Sequence, residues 1–204
     1  MKKILCFGDS NTWGHDPKDG SKLAKPWPEL LAEKLPDCEI IQDGVCGRTT
    51  VFDDPTAEGR NGITAFEERI ADKREADLAI IMLGTNDTLN YYKCPAKESA
   101  KAMRRFVREW KAAFPESQVL VVSPIEIREP MLKHPIFRVL YSQTSIEESK
   151  KFAACYEKMA KEEGIYFLDA AKYAKASDLD GIHMEPAEHE KLAKAVYAKV
   201  LTIF

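Results

Sequence analysis

Short apolar runs recur along the chain and alternate with longer stretches of mixed polarity. Five of these runs have the length of a strand, at residues 4–7, 39–41, 78–83, 119–123 and 165–168. In the stretches between them, apolar residues recur three and four positions apart, which places them on one face of a helix. The pattern therefore predicts strands that alternate with helices.

Four helices are predicted, three between strands at residues 27–35, 96–114 and 145–163, and one after the last strand at 186–201. Gly164 is suited to end the third helix, and Pro186 suits the first turn of the last one. Residues 42–63 and 124–144 are the longest regions that are predicted to be irregular.

Strands that are apolar on both faces and are joined by helices predict a parallel sheet that is covered on both sides. We therefore expect an α/β fold, a three-layer α/β/α sandwich around a flavodoxin-like, five-stranded parallel sheet. The 204 residues suffice for one substantial core. Because no repeat or linker interrupts residues 1–204, a single domain is expected.

Charge and cysteine content narrow the classes of function. The 30 Lys and Arg residues nearly balance the 33 Asp and Glu residues, and the formal net charge of −3 gives no argument for binding to nucleic acid or to a membrane. The five cysteines include no C-x-x-C pair, which disfavours a zinc site and a disulfide framework. Because the apolar run before Gly8 is only four residues long, a secretory signal is not expected either, and the predicted location is cytoplasmic.

Small and polar residues follow four of the predicted strands. They are GDSN at 8–11, QDGVCGRTT at 42–50, GTNDT at 84–88 and, further beyond the last strand, DLDGIHMEP at 178–186. In open parallel sheets, ligands bind outside the carboxyl ends of the strands, where the strand order reverses. We therefore expect these four segments to meet at one edge of the sheet.

Ser10 becomes a nucleophile only if a neighbouring base removes its proton, and the natural base is a histidine that a carboxylate orients. His183 is the best candidate of the four histidines, because Asp180 precedes it by three residues across the flexible Gly181. His189 is predicted to lie on a solvated helical face. His15 and His134 lie in predicted loops, where a surface role or a contact with substrate is expected.

Acyl transfer also needs hydrogen-bond donors that point at the developing oxyanion. Gly47 offers an unobstructed backbone N–H, and Asn86 offers a side-chain amide. Asp9 and Asp87, which neighbour these positions, are predicted to hold their loops by hydrogen bonds to the backbone. Together with Ser10 and the pair of Asp180 and His183, the donors form a complete set for acyl transfer.

Four segments of the sequence resemble the motifs of the SGNH (GDSL-type) hydrolases, in the order that this family has. They are FGDSNTWG at 7–14, DGVCGRTT at 43–50, MLGTNDT at 82–88 and DGIH at 180–183. The resemblance implies Ser10 as nucleophile, His183 as base and Asp180 as its orienting carboxylate. It also implies an oxyanion hole made of the Ser10 N–H, the Gly47 N–H and the Asn86 side chain, and a mechanism without a metal or other cofactor.

One position departs from the family motif, because Asn11 stands where the motif has leucine. The chemistry is unaffected, but the polarity of the pocket is expected to differ. We expect contacts with the substrate from five residues around the site, namely Asn11, Trp13, Phe52, His134 and Phe137.

Within the family, the sequence is most similar to the bacterial arylesterases and acyltransferases and to related carbohydrate acetylesterases. ILCFGDSNTWG, GRTTVFDDPT and LAIIMLGTNDT carry this similarity, together with the later VLVVSP and HPIF. It implies a small-molecule substrate, a short-chain (acetyl-like) ester, and a homo-oligomer whose neighbouring subunits narrow the entrance to the site. We expect a serine esterase that works through an acyl-enzyme, with acyl transfer to alcohols or peroxide as an alternative to hydrolysis.

A protein without catalytic activity is the alternative from another class. A flavodoxin-like sheet can bind a nucleotide or phosphate, with Gly8 and Asp9 in the binding loop. The sequence lacks both G-x-x-x-x-G-K-[ST] and G-x-G-x-x-G. This alternative would also leave Asn86 and His183 without a role.

Overall fold

A computed structural model describes residues 1–204, and one five-stranded sheet runs through it. The strands are β1 (Lys2–Gly8), β2 (Cys38–Gly44), β3 (Leu78–Met82), β4 (Gln118–Ser123) and β5 (Tyr166–Asp169). They lie in the order β2-β1-β3-β4-β5, and every neighbouring pair is parallel. The predicted α/β fold with a five-stranded parallel sheet is confirmed.

Eight α-helices accompany the sheet. They are α1 (Ser10–Trp13), α2 (Trp27–Lys34), α3 (Gly62–Ala71), α4 (Ala96–Ala113), α5 (Phe137–Leu140), α6 (Gln143–Ser149), α7 (Phe152–Glu163) and α8 (Pro186–Val200). Three short 3-10 helices cover Thr85–Thr88, Glu129–Lys133 and Ala170–Lys172. Every helix is too short or too polar to span a bilayer.

The two faces of the sheet carry separate apolar clusters, because successive side chains of a strand point to opposite faces. Ile4 of β1 packs in a cluster with Trp27 of α2 and Leu192 of α8. Its neighbour Leu5 packs in the other cluster, which contains Phe106 of α4. Burying one such side chain stabilises the folded state by roughly 1.5–3 kcal/mol. The helices therefore cover both faces and form the outer layers of the sandwich.

The predicted helix at 145–163 is in fact two helices, α6 and α7. The two segments have different neighbours. In α6, the Ser145 hydroxyl donates to the Thr88 carbonyl, and the Ser149 hydroxyl accepts the Ile127 N–H. α7 instead buries Phe152 and other side chains against the sheet and α4. A single straight helix does not satisfy both sets of contacts, and the chain turns between them.

Two other helices begin in regions that were predicted to be irregular. α3 starts at Gly62, near the end of 42–63, and α5 lies within 124–144. α3 buries Ile63 and Phe66, and this apolar spacing is the signal that could have located it. α5 is only four residues long and buries none of them, so periodicity could not have revealed it.

The prediction that His189 lies on a solvated face is wrong. Its ring is fully buried, and its Nδ1 accepts the Trp27 N–H at 3.1 Å. The first N–H groups of a helix have no partner within the helix. His189 of α8 therefore supplies an acceptor to the first turn of α2. Burial, together with the nearby His183, lowers the pKa of His189 to about 4, so the ring is neutral at pH 7.

The strand order reverses beside β1, which has β2 on one side and β3 on the other. Ser10 follows β1 directly, and the turn that contains Asn86 follows β3. The fold therefore places these two residues at the switch point, where open α/β sheets bind ligands.

Candidate active site

Ser10 is the first residue of α1, at the carboxyl end of β1. Asp9 caps this helix, because its carboxylate accepts the Asn11 N–H at 3.0 Å. The tight turn requires Gly8, since a Cβ there would lie 2.8 Å from the Met82 carbonyl oxygen. The buried Ser10 is thus held on a short, capped helix at the edge of the sheet.

The loop before α8 presents Asp180 and His183 to Ser10. One oxygen of Asp180, Oδ1, accepts the N–H groups of Ile182 (2.8 Å) and His183 (2.9 Å). The other oxygen, Oδ2, lies 2.6 Å from Nδ1 of His183, whose Nε2 lies 2.9 Å from Ser10 Oγ. Gly181 has φ 74°, and a Cβ there would lie 2.6 Å from the Arg128 carbonyl oxygen. The turn thus brings the three predicted residues into one hydrogen-bonded chain.

The surroundings of Asp180 keep its carboxylate ionised. Burial alone would raise its pKa, but hydrogen bonds from the His183 ring and from the backbone lower it below its ordinary value. An ionised acceptor 2.6 Å from Nδ1 favours the tautomer with the proton on that nitrogen. The lone pair of Nε2 then faces the Ser10 hydroxyl.

Asn11 does not line the open site, in contrast to the prediction. Its amide is buried and points to the histidine loop, where it donates to the Ile182 carbonyl (3.2 Å) and accepts the Met184 N–H (3.1 Å). Leucine at this position would make neither bond. The side chain therefore fixes the backbone on both sides of His183, and it is not free to contact a substrate.

Gly47 and Asn86 carry donors in the loops that follow β2 and β3, the two strands that flank β1. Gly47 has φ 82°, in the left-handed region, and its N–H donates to no group of the protein. The Asn86 amide donates one N–H to the Arg48 carbonyl (2.9 Å) and accepts the Tyr141 hydroxyl (2.8 Å). These two bonds identify the amide oxygen and nitrogen and leave one N–H of Asn86 unused.

Arg48, which sequence reasoning missed, anchors the segment that contains Gly47. Its buried guanidinium donates to the Gly8 carbonyl (3.2 Å) and to the carbonyl (2.7 Å) and carboxylate (3.0 Å) of Asp43. Arg69 binds the second oxygen of the same carboxylate at 2.7 Å. Arginine is rarely buried without such partners, so its position beside Gly47 in GRTT was the only signal.

Asp87 holds its loop, as predicted. Its buried carboxylate accepts the N–H (2.8 Å) and the hydroxyl (2.7 Å) of Thr50, and the hydroxyl of Ser99 (2.6 Å). The loops that follow β2 and β3 are therefore tied together directly beside Asn86.

Aromatic rings surround the His183 imidazole. The Phe137 ring centroid lies 5.5 Å from that of His183, and His134 stacks on Phe137 at 4.6 Å. Trp13 lies 6.4 Å from His15, whose ring in turn stacks on His183 with a centroid distance of 4.0 Å. Of the predicted substrate contacts, Phe137 therefore lies beside His183, whereas His134 and Trp13 contact its neighbours Phe137 and His15. His15 has the closest ring contact with His183.

Phe52 lies elsewhere, stacked on Tyr92 at 4.6 Å. Tyr92 lines a cavity of about 490 Å³ whose wall includes Arg60, Leu89 and Leu140. Arg60 borders the segment that contains Gly47, since its Nε donates to the carbonyl of Cys46 at 3.0 Å. Phe52 is thus a neighbour of this cavity and not of the His183 ring.

Three of these residues also have the chemistry of metal ligands, because ligand atoms of His15, Asp180 and His183 lie within 4.8 Å of one another. Nδ1 of His183 needs a proton for its bond to Asp180, whereas a metal ligand must present a lone pair there. Its Nε2 already faces Ser10. The arrangement therefore fits a proton-transfer chain better than a metal centre.

A serine, a histidine and an aspartate in one hydrogen-bonded chain, with amide donors in the loops after the two strands that flank β1, define the class of SGNH serine hydrolases. The profile of the GDSL-like lipase/acylhydrolase family matches residues 6–191. The chain belongs to this family, and it is a serine esterase.

Solved structures show the same relationship. The native aryl esterase of M. smegmatis superposes with a TM-score of 0.91 at 34% sequence identity, and a carbohydrate acetylesterase from Sinorhizobium meliloti with 0.91 at 33%. Both alignments cover 100% of this chain and 100% of the relative. A lipase/acylhydrolase from Enterococcus faecalis, at 17% identity and covering 97% of that chain, shares the fold with a TM-score of 0.71 over 100% of this one. A search of curated protein sequences gave no significant match.

Proposed function

We propose that this esterase hydrolyses short-chain acyl esters through an acyl-enzyme on Ser10. The observation that carries the proposal is the continuous chain from Ser10 Oγ to His183 Nε2 (2.9 Å) and from His183 Nδ1 to Asp180 (2.6 Å). These distances are in the range that a nucleophile and its general base require.

In the first half of the reaction, Ser10 Oγ attacks the ester carbonyl while its proton passes to Nε2 of His183. The imidazolium is stabilised by the ionised Asp180, which does not itself take up the proton. When the tetrahedral intermediate collapses, the same proton goes to the leaving alcohol. The acyl group remains on Ser10 as an ester.

In the second half, His183 removes a proton from water, and the resulting attack on the acyl-enzyme releases the acid. An alcohol or a peroxide that occupies the place of this water would receive the acyl group instead. The half-buried aromatic rings near His183 support such transfer, because they disfavour bulk water around the acyl-enzyme.

The oxyanion is stabilised by the N–H groups of Ser10 and Gly47 and by the amide of Asn86. The unused N–H of Gly47 and the second N–H of Asn86 support this assignment, because a donor without a protein partner is available to the substrate. The Arg48 network keeps these donors fixed, so that little reorganisation accompanies the reaction.

A small acyl group fits the surroundings of His183 best. Phe137 and His15 restrict the space near the imidazole, and the M. smegmatis and S. meliloti relatives are named as an aryl esterase and a carbohydrate acetylesterase. The phosphate-binding alternative is disfavoured by Asp9, because its carboxylate already accepts the Asn11 N–H at the N-terminus of α1, a group that a bound anion would need.

The homo-oligomer and the cytoplasmic location stay predictions. Exposed apolar residues on and beside α5, including Ile136 and Val139, support an interface between subunits near the site. All five cysteines are free thiols, as in a protein of a reducing compartment. Sedimentation of wild type and of Val139→Asp would test the interface, and a monomer in both cases would contradict it.

Rates on a series of p-nitrophenyl esters from acetate to palmitate test the proposed function, with acetylated sugars in parallel. Acetate to butyrate should react fastest, and a fluorophosphonate should label wild type but not Ser10→Ala. A maximum at octanoate or longer would contradict the short acyl chain. Activity in Ser10→Ala would contradict the role of Ser10 as nucleophile.

A further inference from the structure

The His15 ring lies against the His183 imidazole, although the reaction described above does not use it. The two ring centroids are 4.0 Å apart, and the planes are tilted by 30°. This is closer than the contact of Phe137 with His183, at 5.5 Å. A half-buried histidine in van der Waals contact with the general base affects both the position and the charge of that base.

The backbone around His15 fixes the ring in this place. The His15 N–H donates to the Ser10 carbonyl at 3.0 Å, so the residue is attached to the helix of the nucleophile. A narrow hairpin then returns the chain, with a bridge between His15 and Lys22. Gly20 packs at the edge of the ring, where a Cβ would lie 3.5 Å from Cε1. The stack therefore belongs to the ordered structure of this loop.

The charges around His15 favour its neutral form in the active enzyme. Burial and then the neighbouring His183 lower the pKa of His15, whereas Asp180, Asp16 and Asp19 raise it less. Asp16 and Asp19 belong to the same loop as His15, and Asp180 and His183 belong to the loop before α8. A neutral ring can stack on an imidazolium, but two imidazolium rings in contact repel each other.

We propose that His15 is a positioning residue for His183, and that it supports catalysis only while it is uncharged. The inference rests on the proposed role of His183 as general base. An uncharged His15 holds the imidazole at the angle at which Nε2 faces Ser10. Protonation of His15 opposes the imidazolium that must form in each half of the reaction, and acid therefore inactivates the enzyme in two steps.

The pH dependence of kcat/KM tests this inference. In the wild type, kcat/KM should first fall about tenfold for each pH unit, and once His15 is protonated it should fall by up to about a hundredfold per unit. His15→Phe keeps a flat ring that cannot take up a proton. Its kcat/KM should therefore fall by about tenfold per pH unit over the whole acidic range. The rate of fluorophosphonate labelling of Ser10 should show the same difference, which excludes an effect on KM alone.

Asp9 is the main rival for a second acidic step, because burial raises the pKa of its carboxyl to about 6. Asp9 is unchanged in His15→Phe, so a step that belongs to Asp9 would stay in both profiles. Circular dichroism at each pH confirms that both proteins are folded over the compared range. Equal acid limbs in wild type and His15→Phe would overturn the inference.

The positioning role is tested at pH 8, where His15 is neutral. His15→Ala should lower kcat about tenfold and change KM little, whereas His15→Phe should keep most of the wild-type kcat. If His15→Ala does not fold, His15→Leu replaces it, since it fills space without a flat ring. Equal kcat in the flat and the non-flat variants would overturn the role. Failure of the proposed function is distinguishable, because it would appear as activity in Ser10→Ala.

Discussion

The two buried histidines His183 and His189 lie six positions apart in the chain, and their hydrogen-bond partners differ in whether they favour a proton on the ring. His183 places its ring between a carboxylate and a hydroxyl, at 2.6 and 2.9 Å. His189 accepts a backbone N–H on Nδ1, and its Nε2 has no partner. In the proposed reaction, the carboxylate stabilises a proton on His183, whereas burial beside an N–H keeps His189 neutral. Burial alone therefore does not make a base.

Removing the carboxylate from His183 should give the largest effect. In Asp180→Asn, the amide no longer favours the tautomer with its proton on Nδ1, and kcat should fall about 10⁴-fold. Steady-state rates on p-nitrophenyl acetate measure this loss. Asp178→Asn is the matched control. Asp178 lies in the same loop, but it is exposed and pairs with Arg128, so the kcat of this variant should be unchanged. A loss below about tenfold in Asp180→Asn would show that His183 works without the carboxylate.

Asn86 extends the comparison to a buried amide that is held by two partners. Asn86→Ala should lower kcat by about 10²- to 10³-fold with a much smaller change in KM, because the carbonyl oxygen of the bound ester gains its negative charge only as the transition state is approached. Asn86→Asp should be at least as damaging, since it presents a negative charge. Asn90→Ala serves as control in the same loop, where Asn90 donates to the Val139 carbonyl. A folded Asn86→Ala protein with more than about half of the wild-type kcat would remove Asn86 from the oxyanion hole.

Asn11 tests how firmly the backbone of His183 must be held. Asn11→Leu removes the hydrogen bonds to Ile182 and Met184. Each of them stabilises the loop by about 1 kcal/mol. Because His183 is then held less firmly, kcat should fall about tenfold while KM stays nearly constant. Asn11→Asp keeps the acceptor for the Met184 N–H, and its kcat should lie between those of the wild type and Asn11→Leu. Wild-type kcat in Asn11→Leu would mean that the rest of the loop positions His183 unaided.

His189 should affect stability without affecting the chemistry. Its pKa falls from an ordinary 6.5 to about 4 on folding, so its contribution is fully present above pH 6.5 and is lost as the pH falls towards 4. Relative to His189→Gln, which cannot titrate, the wild type should lose about 2 kcal/mol of unfolding free energy between pH 7 and pH 5. Urea unfolding at both pH values measures this difference. Parallel losses in the two proteins would mean that His189 is already accessible to protons in the folded state.

The sequence located the ends of the strands because the chemistry there needs unusual residues. Ser10, Gly47 and Asn86 interrupt or follow apolar runs, where neither a strand nor a helix favours them, and these interruptions fall at one edge of the sheet. His183 was separated from the other histidines by the carboxylate three residues before it. These are local signals, and a single sequence contains them.

Contacts between distant segments were not predictable in the same way. His189 has the pattern of a surface residue, and only the packing of α8 on α2 buries it against Trp27. Asn11 looks like a pocket residue until the loop before α8 folds over it. The stack of His15 on His183 joins segments at opposite ends of the chain, and no spacing within either segment indicates it.

Mass spectrometry of the intact protein during turnover of p-nitrophenyl acetate tests the central claim most directly. If Ser10 is the nucleophile, the wild type quenched in acid should gain the mass of one acetyl group, and peptide mapping should place it on Ser10. Asp180→Asn should acquire it far more slowly, and Ser10→Ala should not acquire it. Turnover without an acetylated Ser10, or an acetyl group on a different residue, would contradict the account.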